Sequence, residues 1–247
     1  MKHFLQILLI AILLPGIPAH AGWLESCQTA YRNFVSNPIA QLETKIAELE
    51  SQYETFLIDE AYGHDLASVQ KQIAKLWNQR AQLKKGYATV TMREKYLGEH
   101  WGKTANGPRL KVRYFSPEER AKLEIKVDEQ GLFRSADGSL LDSCVRTLGA
   151  PKNCEPGIFV MDAEGRIYFY SGPMNRHAEQ AVHHSSFLSG LPVASAGMLE
   201  FRQGRLISVN STSGHYRPTR AFFEQVFTEL EKRGVKNAKR RLVITVW

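Results

Sequence analysis

The chain has 247 residues, with 32 lysines and arginines against 25 acidic residues, a formal net charge of +7 and three cysteines. That length holds one large domain, or a domain with an appended helical region. The basic excess is spread along the chain and its densest cluster, Lys239-Arg240-Arg241, is short, which argues for a solvated basic surface and against a dedicated nucleic-acid site.

Residues 1–21 read as a cleavable secretory signal peptide. Lys2 precedes the apolar run Phe4 to Leu14, followed by Pro15, Gly16 and Pro18 and by the small-residue exit Ala19-His20-Ala21. The run is shorter than the roughly 18 apolar residues that cross a bilayer, so cleavage after Ala21 is expected, a retained anchor being the alternative. Glu25 and Ser26 ahead of Cys27 argue against lipid attachment. The expected location is the periplasm or the exterior, where disulfides form. Cys144 and Cys154, with Gly149 and Pro151 between them, suit a local disulfide worth about 2–3 kcal/mol by loop entropy. Two free thiols are the alternative, and Cys27 is left over as a free thiol or a link to a partner.

Residues 22–85 form a helical hairpin region. Ile39, Leu42, Ile46, Leu49, Tyr53 and Phe56 recur at spacings of three and four, the mark of one apolar helix stripe, and Ser36-Asn37-Pro38 supplies its start. A second stripe, Leu66, Val69, Ile73, Leu76 and Leu83, follows a break at Gly63, with Asp65 as its cap. Lys71, Lys75, Arg80, Lys84 and Lys85 make the second helix basic, as a solvated face would be. Self-association or a partner contact is the role such a hairpin suggests.

Residues 86–108 carry four glycines and weak periodicity, and are read as a connection. Residues 109–247 then change to a strand pattern. Leu110, Val112 and Tyr114 alternate, Ser116-Pro117-x-Glu119 reads as a capping box, and Leu123, Ile125 and Val127 alternate again. A turn is expected at Asp137-Gly138. Hairpins are expected at Ile158–Met161 with Ile167–Tyr170, and at Met198–Phe201 with Leu206–Val209 around Gln203-Gly204. Thr219 is the expected cap of a last helix whose apolar face is Phe223, Val226, Phe227 and Leu230, stopping at Gly234. The fold class is α+β: a helical hairpin, then a mainly antiparallel sheet domain with a packed C-terminal helix.

Two polar segments flank these hairpins, His183-His184-Ser185-Ser186 and Ser213-Gly214-His215-Tyr216-Arg217. If they converge, His184, Ser185 and His215 are the candidate catalytic residues, because an imidazole near neutrality can activate a hydroxyl. The wider set His183, His184, Ser185, Ser186, Ser213, His215, Tyr216 and Arg217 equally suits holding a protein or an anionic small ligand. The bland reading is that these side chains tie two irregular loops to backbone. His177-Ala178-Glu179 lacks the Pro-Cys-x-x-Cys of a zinc deaminase. No Gly-x-Ser-x-Gly, phosphate-binding glycine loop or His-Glu-x-x-His is present. His177, His184 and His215 have no ligand spacing that favours a metal, and nothing in the sequence specifies a cofactor.

At these same residues the chain resembles the conserved domain of the plant IQ-motif-containing calmodulin-binding proteins and of microbial relatives. The resemblance runs from about Tyr114 to Lys236. It rests on Ser116-Pro117-Glu118-Glu119-Arg120, Ile158-Phe159-Val160, His184-Ser185-Ser186-Phe187-Leu188 with Gly190, Ala196-Gly197, Gly204, and Ser213-Gly214-His215-Tyr216 with Pro218-Thr219. The resemblance implies that calmodulin binding would need an IQ helix outside the shared domain. No Ile-Gln-x-x-x-Arg-Gly pattern is present here, which argues against that partner. The expectation is an exported binding or effector-like protein working through the histidine and serine loops. The alternative is a hydrolase or group transferase using His184 and His215.

Overall fold

The structure is a computed structural model that describes residues 37–59, 61, 65–84, 86–104, 107–108, 111–145, 153–172 and 180–241, together with Ser26 and Thr29. The expected signal peptide, Cys27, Gly63, Lys85, Leu110, Gly149, Pro151, His177 and the last six residues lie outside the described residues. In chain order the elements are α1 (Pro38–Ile58), α2 (Leu66–Lys84), β1 (Lys103–Thr104), β2 (Gly107–Pro108), β3 (Lys111–Val112), α3 (Pro117–Leu123), β4 (Lys126–Val127), β5 (Phe133–Arg134), β6 (Cys144–Val145), β7 (Asn153–Cys154), β8 (Gly157–Met161), β9 (Ile167–Tyr170), β10 (Gln180–Ala181), β11 (Ser195–Arg202), β12 (Arg205–Asn210) and α4 (Arg220–Lys232). Short 3-10 turns cover Glu94–Tyr96, Glu99–Trp101, His184–Ser186 and Ala238–Arg241. The chain divides into two packing units, residues 1–44 and 45–247, and the packing described below lies within the second.

Helix α1 starts at the expected place, where Asn37 Oδ1 accepts from the amides of Ile39 and Ala40 at 3.0 and 3.1 Å. Its later turns run antiparallel to α2. Gln70 Nε2 donates to the Tyr53 hydroxyl at 3.0 Å, and two α2 turns later Trp77 Nε1 donates to Glu50 Oε1 at 3.0 Å. Ile46, Tyr53, Leu66, Val69, Ile73 and Trp77 close the seam between them. These are members of the two apolar stripes, joined by Trp77.

The central sheet has the order β12-β11-β8-β9 and is antiparallel throughout. In β8 every residue is buried, so the sheet is apolar on both faces and both faces need a cover. Successive side chains point to opposite sides. Phe159 and Met161 accordingly join the layer formed with Phe223, Val226, Phe227 and Leu230 of α4. Ile158 and Val160 join a second layer with Phe115, Phe187, Leu188, Val193 and Tyr216. A helix covers the first face, and the segments around His184 and His215 cover the second.

Three local readings differ from the structure. Of the strand expected at Leu110–Tyr114, Leu110 lies outside the described residues, Lys111–Val112 is strand and Arg113–Tyr114 is not, and the strand pairs parallel with β10, the one parallel ladder among the described residues. Leu123 ends α3, because the capping box at Ser116 and Glu119 starts a seven-residue helix that consumes it. Thr219 occupies the position before α4 in extended conformation, yet its side chain makes no capping bond. Strands β6 and β7 pair antiparallel, with Cys144 opposite Cys154 in register.

Candidate functional site

The two polar loops meet, and they meet on a residue from the glycine-rich connection. Glu99 sits in the turn Gly98-Glu99-His100-Trp101-Gly102, whose flanking glycines take φ of 82° and 80°, a conformation that favours residues without a Cβ. This double bend turns the Glu99 side chain inward. The Ser185 hydroxyl donates to its Oε1. His215 Nε2 donates to its Oε2 at 2.8 Å. Ser185 is 0 %, Glu99 3 % and His215 8 % exposed, so the carboxyl group is a sealed clasp between the loops. The His215 ring stacks on Tyr96 with centroids 4.1 Å apart and lies 4.9 Å from the His183 ring.

His184 has a different task. Its Nε2 lies 2.8 Å from the carbonyl oxygen of Gly197 in β11, and a carbonyl can only accept, so Nε2 carries the hydrogen. Burial lowers the His184 pKa to about 3, and nearby His215 and His183 push it the same way. The ring is therefore a neutral strut between loop and sheet. Gly197 is a glycine for the same close approach: a Cβ there would fall inside the contact radius of the Asn210 carbonyl oxygen on β12.

The remaining expected residues serve the loops themselves. Ser186 Oγ accepts from the His183 amide at 2.9 Å. Ser213 anchors the second loop through its carbonyl, which accepts from the Arg217 amide at 2.9 Å. The Tyr216 hydroxyl donates to the Leu191 carbonyl at 2.9 Å, and burial drives its pKa well above the ordinary phenol value. Gly190, at φ 79°, closes the first loop where any Cβ would press on the Tyr53 hydroxyl. His183 is half-buried and Arg217 exposed, the latter at φ 43°.

A serine nucleophile needs its proton directed at an imidazole. Here the Ser185 hydroxyl is directed at Glu99, His215 holds the opposite oxygen, and His184 is bonded to backbone. This arrangement lends no support to a hydrolase or group transferase built on His184 and His215. Among the described residues no group of three or more His, Cys, Asp or Glu could hold a metal ion. Glu99 and Tyr96 were missed in the sequence; the available signal was an acid between two glycines in an otherwise aromatic run.

The loops that share the clasp, the sheet they cover and the helix behind it follow one another in a single stretch of chain. Residues 119–223 match the IQ motif-containing protein middle domain. Within that middle domain lie Ser185, His184 and His215, whereas Glu99 lies outside it. IQ domain-containing protein IQM4 of Arabidopsis thaliana is 31 % identical over 131 residues, covering 52 % of this chain and 22 % of that protein. IQ domain-containing protein IQM1 of the same plant is 30 % identical over 131 residues, covering 52 % and 24 %. The chain thus matches less than a quarter of the length of these relatives. No solved structure matches the chain at a significant level.

Proposed function

We propose that this is an exported, protein-binding module without a catalytic centre in its histidine and serine loops, and that the Glu99 clasp holds those loops so that their outer residues form a fixed recognition surface. The observation that carries this reading is the bonding of Ser185 and His215 to one buried carboxyl group. It withdraws the hydroxyl and the imidazole from solvent and leaves Arg217, His183 and Tyr96 at the rim. Arg217 supports it further, because a non-glycine residue at φ 43° just before a proline is held against its backbone preference. Arginine and tyrosine on a rigid support are the residue types that anchor protein interfaces. Lys95, 4.9 Å from the Tyr96 ring centroid, adds positive charge, so the partner surface is acidic.

A protein partner also agrees with the relatives, which are IQ domain-containing proteins. The recognition proposed here joins the two loops of the matched stretch to the segment carrying Lys95, Tyr96 and Glu99, and needs no IQ helix. Export, and with it a Cys144–Cys154 disulfide, belongs to the same proposal. The test places a photo-crosslinking residue at Lys95 in cells of the source organism. One discrete adduct is expected, lost in Arg217→Glu. A turnover abolished by Ser185→Ala in a protein of unchanged stability would replace this reading with the enzymatic one.

A further inference from the structure

A second concavity, apart from the loops' rim, lies between the α1–α2 pair and the sheet domain, with a volume of about 280 Å³. Its floor is apolar, with Leu57, Phe115, Leu188 and Leu191, and it is ringed by charge. Most of that charge is already spoken for. Arg166 Nε donates to Asp162 Oδ2 at 2.7 Å, and Arg80 pairs with Glu164. Three groups are left with capacity. Among the described residues Arg120 has one side-chain bond, a long 3.3 Å contact from Nη1 to the Phe187 carbonyl, against the five hydrogens a guanidinium offers. On the α1 wall, Glu50 accepts one hydrogen bond among the described residues, from the indole of Trp77, with Arg80 nearby, and Glu54, one helical turn on, is exposed.

We infer that this cavity is a binding site for a small zwitterion, a free α-amino acid with an apolar side chain, whose carboxylate is held by Arg120, whose ammonium is held by Glu54 and Glu50, and whose side chain lies on the apolar floor. The chemistry follows from what is unsatisfied. A lone cation would leave the Arg120 fork unmatched, and a lone anion would face two carboxyl groups on α1. A ligand with both charges on one carbon and an apolar tail matches all three surfaces. The volume suits a molecule of that size and excludes a folded partner. Arg120 belongs to the matched middle domain while Glu50 and Glu54 do not, so the site would be particular to chains that carry this helical pair.

The test is titration calorimetry of the purified full chain with L-phenylalanine and L-leucine. Saturable one-to-one binding is expected for at least one. N-acetyl-L-phenylalanine, which lacks the ammonium, and L-phenylalaninamide, which lacks the carboxylate, should each bind about tenfold or more weaker, as loss of a charge-assisted bond implies. Arg120→Gln and Glu54→Gln should weaken the free amino acid comparably while leaving the unfolding temperature unchanged, since both side chains reach solvent. Absence of saturable heat with both amino acids, or equal affinity for the blocked derivatives, would overturn the assignment. Neither result touches the crosslinking outcome at Lys95, which reads a different surface.

Discussion

Glu99 concentrates the interactions that hold the second sheet layer together. A glutamine there keeps the shape but replaces one acceptor with an amide donor, setting hydrogen against hydrogen at Ser185 or His215. Glu99→Gln should lower stability by about 1–3 kcal/mol, read from the urea midpoint, because a buried donor is left unmet. His184 predicts a pH dependence. Its folded pKa of about 3 lies below the unfolded value near 6.5, so between those limits the unfolded chain binds the extra proton. Stability from this group is therefore fully present above about pH 6.5 and falls on acidification, by up to about 1.4 kcal/mol per pH unit. Denaturation curves at pH 7, 6 and 5 should show that slope in the parent and a flatter one in His184→Asn. The sequence exposed the histidines and serines, yet it hid the acid that organises them. Glu99 meets Ser185 across 86 positions and His215 across 116, distances over which no local pattern carries a signal.

Hairpins were legible because their chemistry is local. Gln203 and Gly204 both take positive φ, 47° and 74°, as the two-residue turn between β11 and β12 demands. The helical pair was legible for the same reason, its stripes lying within single elements. What escaped was the burial of the polar loops. The residues Ile158 to Met161 show a continuous apolar run, which means a strand covered on both faces, but they do not say that irregular chain supplies one of the covers. Gly197 tests this layering. Gly197→Ala drives a methyl group into the Asn210 carbonyl and should cost more than about 3 kcal/mol or abolish soluble expression. Gly138→Ala, at φ 87° with open space around the new carbon, should cost only about 1–2 kcal/mol, so comparing the two midpoints separates collision from backbone strain.

For the whole molecule, the proposed export makes two expectations that one preparation can check. Protein recovered from the periplasm or the medium should begin at Gly22 by N-terminal sequencing. Its intact mass should also be about 2 Da below that of the fully reduced chain, with a peptide linking Cys144 to Cys154, the two cysteines that face each other in register. An intact leader with all thiols titratable would place the protein in a reducing compartment.

The clasp also bears on where the domain can be cut. The family match begins at Glu119, twenty positions after the carboxyl group on which its two loops rely. A chimera carrying only 119–223 would bring along the serine and the imidazole and leave their acceptor behind. In any transplanted or minimised version, the segment from Arg93 to Gly102 has to travel with the sheet, as a keystone travels with its arch.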